Sequence, residues 1–421
     1  MKIAVIGGGS TYTPELVDGL SRLPVGLQIE ELVLVDPDAE RLSVVGALAD
    51  RMLRHVGSPT RLVLTDDRAQ ALDGAAVVLM QFRVGGQQAR ARDESFPLEC
   101  GCVGQETTGA GGLAKALRTV PVALDVAREA AIRSEPDAWI VDFTNPVGIV
   151  TRALLDDGRR AVGLCNVAIG FQRLFAEWLQ VPADEVVLDH VGLNHLTWIR
   201  SVRVGGLDVL PRIIDEFGTA LADRLELPLP LLRQLGMVPS YYLRYYYAHD
   251  EEVARLRREG TRAQEVQRIE AGLLERYRDP GLVTKPALLD QRGGAYYSEA
   301  AVGLIAAILG GPEHAGPHVA NVRNRGTLPF LAPDAVIETV CDVTTEGPRP
   351  RAVDPLPPLL SGLIAHMSDY EELALRAALE GSRDRVVEAL LAHPLVGQWD
   401  RATALADALI AANREFLEWA R

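Results

Sequence analysis

The chain opens on an apolar run, Ile3 to Ile6, that stops at three glycines and passes into a helical pattern. A run with no polar position inside it reads as a strand buried on both faces, the condition of a parallel sheet covered by helices. The pattern recurs. Glu31–Asp36, Leu62–Asp66, Ala75–Arg83, Ala138–Pro146 and Ala161–Cys165 are further short apolar runs, separated by helical stretches such as Asp38–His55 and Ala114–Ser134. This alternation predicts a doubly wound α/β unit, whose ligands sit beyond the carboxyl ends of the strands. Arg83, Asn145 and Cys165 lie at or just past predicted strand ends, so all three are expected along one crevice.

In the second half amphipathic helices take over. A polar, arginine-rich helix is expected over Asp250–Arg278 and a terminal one over Ala402–Arg421, with Val336–Val343 as a strand and the proline-rich Glu346–Pro358 as a loop. No internal repeat or low-complexity linker interrupts the chain, so a second domain should pack closely on the first. The 421 residues fit two fused domains.

Composition narrows the partners. A hydrophobic content of 48% with 24% charge is that of an ordinary globular protein, and the net charge of −14 argues against nucleic acid or an anionic membrane surface. An anionic substrate would have to be held by a few focused arginines and backbone amides. Four cysteines make no disulfide framework, and neither a cleavable signal nor a long apolar span is visible, so the expected location is the cytoplasm.

Three clusters carry candidate chemistry. Gly7-Gly-Gly-Ser10 lets the backbone turn and approach a pyrophosphate at a helix N-terminus, although its spacing is not the standard G-x-G-x-x-G. Asp36, closing the second predicted strand, is placed to accept from ribose hydroxyls and favours NAD over NADP; the alternative is a helix cap. Cys165 and His195, each after an apolar run and beside an amide side chain, could hold a divalent cation from two strand ends, or could equally be a buried thiol and a structural imidazole. Half of the ten tyrosines lie in Pro239–Tyr247. They read as core packing, or as containing a general base whose acidity is raised by a metal, Arg244 or Arg262.

Taken in order, Gly7–Glu15, Gln81-Phe-Arg83, Gly104–Gly112, Phe143-Thr-Asn-Pro146, Gly163-Leu-Cys-Asn166, Gly192-Leu-Asn-His195 and Tyr242-Leu-Arg-Tyr-Tyr246 resemble glycoside hydrolase family 4, the NAD- and Mn²⁺-dependent glycosidases, and most closely its 6-phospho-β-glucosidases. The resemblance spans nearly the whole chain. It implies a Rossmann-like domain over 1–165 and a mixed α+β catalytic domain over 166–421, in a lactate/malate dehydrogenase-like architecture. It also implies a mechanism without the usual carboxylate pair. NAD⁺ takes hydride from sugar C3, a tyrosine removes the acidified C2 proton, the aglycone leaves C1 by elimination, water adds, and the hydride returns.

Residue by residue, the resemblance makes Tyr242 the base and Cys165 and His195 the metal ligands. Gly7, Gly9, Ser10, Asp36 and Arg83 fall on the cofactor, and Asn145, Asn166 and Arg262 on the substrate, with Arg262 as a phosphate clamp. Asn166 follows the cysteine where α-specific members carry Asp, which implies the β anomer. The usual Asn-Val-Pro is broken by Ala168, a change under the sugar that bears on aglycone choice. Glu106 is a candidate leaving-group acid, and a homodimer or homotetramer is implied. Two rival readings are a 2-hydroxy-acid dehydrogenase, identified by net NADH formation, and an NAD-binding sugar-phosphate sensor without turnover.

Overall fold

A computed structural model describes residues 1–421 except Val25 and Ala295. Six strands, β1 (Lys2–Ile6), β2 (Glu31–Val35), β3 (Arg61–Thr65), β4 (Val77–Met80), β5 (Trp139–Asp142) and β6 (Ala161–Gly163), pair in parallel in the order β3-β2-β1-β4-β5-β6. That is the strand order of a dinucleotide-binding fold. Strands β4, β5 and β6 are buried throughout, and β1 and β2 in all but their first residue, as their unbroken apolar runs predict. Strand β3 differs: it is the sheet edge, and Arg61 and Leu64 are exposed, so burial on both faces does not hold there.

The sheet does not end at β6. Seven further strands, β7 (Val187–Leu193), β8 (Leu196–Val204), β9 (Leu207–Asp208), β10 (Val238–Pro239), β11 (Gly316–Arg323), β12 (Val336–Thr344) and β13 (Gly347–Pro350), extend it. The antiparallel strand β11 joins β6 through Asn321 opposite Gly163, and β12, β7, β8 and β10 follow outward. The carboxyl ends of the parallel strands therefore face elements from the second half of the chain.

Several elements differ from their sequence expectation. The arginine-rich stretch is two helices, His249–Glu259 and Arg262–Tyr277, parted at Gly260, whose φ of +88° no helix accommodates. The expected loop after β12 contains β13, and the last long helix is Trp399–Asn413, followed by 3₁₀ turns.

The long helix Gly109–Arg133 is the spine of the core. Leu113, Val120 and Leu124 on it are almost fully buried among residues of β1, β4 and the C-terminal helices Pro358–Glu380, Arg383–Ala392 and Trp399–Asn413. Each such aliphatic side chain removed from water contributes about 1.5–3 kcal/mol. A second core joins the helices Val167–Leu179 and Leu210–Leu225 to one face of β7 and β8. All four cysteines are free, and no helix among the described residues is long and apolar enough to cross a membrane.

Candidate active site

A cleft of about 1790 Å³ runs along the carboxyl ends of the parallel strands, from Gly9 and Asp36 past Asn145 and Asn166 to Tyr242 and Arg262. At its first end the glycine loop is drawn onto the sheet by Gly7 and Gly8 N–H groups donating to Val35 O at 2.9 and 2.8 Å. A side chain would not fit. At Gly7, with φ of +90°, a Cβ would lie 2.8 Å from Phe82 Cα, and at Gly9 it would meet the Asp36 carboxyl at 2.9 Å. The Gly9 N–H donates to Asp36 Oδ2 at 3.0 Å, and the following helix Thr13–Leu20 has no side-chain cap at its N-terminus. The helix cap in this region is Asp38, accepting from Arg41 N–H, and Asp36 stands on the cleft wall instead. The bare cradle, uncapped helix start and strand-end carboxylate fit a dinucleotide.

At the middle of the cleft, Asn145 follows β5 with its Oδ1 buried and unpaired, an acceptor aimed at nothing in the protein. An unmet buried acceptor is costly unless a ligand satisfies it. Asn166 sits at the N-terminus of the helix Val167–Leu179, and Ala168 is buried in that helix's first turn.

Just behind the wall lie Cys165 and His195. Cys165 follows β6, and the Asn194 amide donates to its sulfur; burial, then the charge of Glu338, pushes the thiol well above its ordinary 9. His195 occupies the two-residue turn between β7 and β8 at φ +65°, a conformation that costs a non-glycine residue on the order of 1 kcal/mol and recurs at functional sites. Its Nδ1 is 3.0 Å from Thr107 Oγ1, which leaves Nε2 without a hydrogen-bond partner among the described residues. Burial brings its pKa down to about 4, so the imidazole is neutral at pH 7 and able to ligate.

No group of three His, Cys, Asp or Glu side chains able to hold a metal occurs among the described residues. The donor pair fits a cation whose remaining positions are filled by oxygens from outside the chain. Behind the pair, Glu338 on β12 accepts from His190 Nε2 at 2.9 Å, Asn194 Nδ2 at 2.9 Å and Asn321 Nδ2 at 3.0 Å. It orients Asn194, and through it Cys165, as second-layer carboxylates do around metal ligands.

Tyr242 lies in the 3₁₀ turn Tyr241–Leu243, which the Ser240 hydroxyl ties to His195 O at 3.0 Å. Its ring stacks on His195 with centroids 3.6 Å apart and planes 8° apart. Burial, with the charges of Cys165, Tyr245 and Glu106, pushes its phenol well above 10, and Arg90 opposes them. Arg244 does not activate Tyr242: its Nη2 bonds the Tyr245 hydroxyl at 3.1 Å, and its Nη1 pairs with Glu226. Tyr241, Tyr242 and Tyr245 all border the cleft, and Tyr245 is also a buried member of a small apolar cluster against which Tyr242 packs.

The expected role of Glu106 as proton donor fails on its surroundings. Burial disfavours its charge, but Arg83, Arg90 and Lys115 outweigh that and hold the carboxyl well below 4.5, so it stays ionised. Lys115 Nζ lies 2.7 Å and Arg90 Nη2 3.3 Å from it, and Arg83 pairs with it closely. Burial and the two guanidinium groups bring Lys115 down to about 7. Arg83, expected on the cofactor, thus has its guanidinium on Glu106. Arg262, the expected phosphate clamp, stands on the cleft rim, partly exposed, paired with Glu265 and donating to Gln291 O at 2.6 Å. Glu338, Asn194, Thr107, Arg90 and Lys115 escaped sequence reasoning. The apolar turn motif Gly192–His195 and the Gly104–Gly112 segment were the only signals near three of them.

Residues 2–181 match the family model Family 4 glycosyl hydrolase, and residues 190–396 that of the Family 4 glycosyl hydrolase C-terminal domain. The chain belongs to glycoside hydrolase family 4. This family 4 chain is 40% identical over 432 residues to a probable 6-phospho-beta-glucosidase of Bacillus subtilis (strain 168), covering 99% of this chain and 97% of that one. It superposes with a TM-score of 0.93, at 34% identity and 99% coverage of both chains, on the 6-phospho-beta glucosidase of Thermotoga maritima solved with manganese, NAD+ and glucose-6-phosphate. Malate dehydrogenase from Salinibacter ruber, at 17% identity, a TM-score of 0.54 and coverage of 91% and 99%, shares the fold alone.

Proposed function

We propose that this chain hydrolyses 6-phospho-β-glucosides to glucose 6-phosphate and an aglycone, with NAD and a divalent cation, Mn²⁺ in the first instance, as its resident cofactors. The observation that carries this reading is the stack of Tyr242, on the wall of a cleft that begins in a glycine cradle, on His195 just behind that wall beside Cys165. When bound, the dinucleotide supplies reversible hydride acceptance at sugar C3 and the cation supplies Lewis acidity toward the C2 and C3 oxygens.

The chain's own residues do the rest. Gly7, Gly9 and Ser10 receive the pyrophosphate and Asp36 the ribose hydroxyls, with Arg83 on the cofactor side of the cleft. Asn145 Oδ1 accepts from a sugar hydroxyl, Asn166 orients the ring, and Arg262 exchanges its rim contacts for a bidentate grip on the 6-phosphate. Tyr242 Oη takes the C2 proton as phenolate and returns it during water addition. Ionised Glu106, whose charge opposes ionisation of the phenol, raises the basicity of the phenolate once formed. Cys165 and His195 hold the cation. The division into a cofactor part, 1–165, and a catalytic part, 166–421, the cytoplasmic location and a homodimeric or homotetrameric assembly belong to the same reading.

The test is release of p-nitrophenol from its 6-phospho-β-glucoside in reducing buffer, with NAD⁺ and Mn²⁺ each supplied or withheld. Cleavage that needs both is expected. Cleavage of the α anomer alone would correct the substrate, and net NADH formation from a hydroxy acid would replace the reading with a dehydrogenase.

A further inference from the structure

Outside the reacting groups, one buried carboxylate gathers more partners from distant segments than the fold of its own helix requires. Glu270 lies on the helix Arg262–Tyr277, about 12 Å along the axis from Arg262 at the helix start. Its Oε1 accepts from Thr11 Oγ1 at 3.1 Å, from Gln87 Nε2 at 2.9 Å, and from Arg292 Nε and Nη2 at 3.1 and 3.0 Å. Its Oε2 is 3.5 Å from Arg41 Nη2, and Arg41 Nε donates to Gly9 O at 3.3 Å. Arg292 Nε also donates to Thr11 Oγ1 at 2.7 Å, and Tyr277, at the other end of the same helix, donates to Thr11 O at 2.7 Å.

The glycine loop is thus gripped, along the wall of the same cleft, by the helix whose first residue stands on the phosphate rim. We propose that Glu270 is a positioning residue that locks this helix to the glycine loop, so that a dinucleotide pyrophosphate and a sugar 6-phosphate strengthen each other's binding. The inference rests on the glycosidase reading. The physical reason is that both ligands bias one element: whichever binds first orders the helix and loop, and the second no longer bears that ordering cost. The charges fit as well. One acid holds two guanidinium groups, leaving the node net positive beside the loop that receives an anion, and without the acid those cations lose their buried partner.

The experiment uses the full chain with Mn²⁺. Glucose 6-phosphate is titrated by calorimetry with and without ADP-ribose, which carries the pyrophosphate but no nicotinamide ring to touch the sugar. ADP-ribose is expected to tighten glucose 6-phosphate about five- to tenfold in the wild type and less than about twofold in Glu270→Gln, while KM rises more than kcat falls. Thr11→Val, which keeps the charges and removes one arm, should lower the coupling part-way, and it carries the test if Glu270→Gln does not fold. A merely structural role would lower the melting temperature and leave the coupling ratio unchanged. An unchanged ratio in Glu270→Gln and Thr11→Val, or binding of both ligands by the wild type without coupling, overturns the inference alone. No binding of glucose 6-phosphate by the wild type overturns the glycosidase reading and this inference with it.

Discussion

A phenol of ordinary acidity is a weak base at neutral pH, and burial moves Tyr242 further from ionisation. Its position is specified all the same, by a stack on His195 and by a turn that the Ser240 hydroxyl ties to His195 O. Tyr242→Phe keeps the ring and the stack and removes only Oη. Turnover is expected to fall at least about 10²- to 10⁴-fold, the usual contribution of a general base. NAD⁺ affinity, followed by fluorescence titration, should stay within about twofold. Unchanged turnover would move the proton transfer to another residue. At this scale the sequence was informative wherever a side chain ends a strand, because alternation alone places Asp36, Asn145 and Cys165 on one edge of the sheet. It was silent on Glu338, whose partners His190 and Asn194 lie 148 and 144 residues away. It was also silent on the ionised state of Glu106, which depends on three cations brought together by folding.

Among the elements, the helix Pro358–Glu380 carries a group that couples stability to pH. Burial, opposed by Arg152 and helped by Glu338, pushes the Glu371 carboxyl from an ordinary 4.5 up to about 8. The folded state then holds a proton that the unfolded chain releases. That contribution to stability is fully present below 4.5 and is lost as the pH rises through 8. Glu371→Gln should abolish the loss, so its melting temperature should fall less than that of the wild type between about pH 5 and about pH 9. The effect is on the order of a few kcal/mol, and parallel melting curves would refute it. Long periodic segments such as the helix Ala39–His55 were legible because the apolar period and the capping Asp38 agree. The pairing of β7 with β8 was not predicted beyond a strand end at His195, because Asp189 and His190 interrupt the apolar run of β7 and blur its period. The break between the two arginine-rich helices rests on one backbone angle at Gly260.

For the molecule as a whole, one sheet and one continuous core run from the glycine loop to the C-terminal helices, so the cofactor end and the phosphate end of the cleft are parts of a single body. The proposed assembly is tested by light scattering on the purified chain. A mass of two or four chains is expected, and a single chain would reject it. By itself the sequence determined the α/β class, the dinucleotide cradle and the family, because these depend on local periodicity and on short motifs whose residues are neighbours in the chain. Only the tertiary structure decided which charges surround Glu106, which arginine faces Tyr242 and which carboxylate ties the helix Arg262–Tyr277 to Thr11. Those are contacts between segments far apart in sequence, and the free energy of a buried charge is set by whatever the fold brings against it.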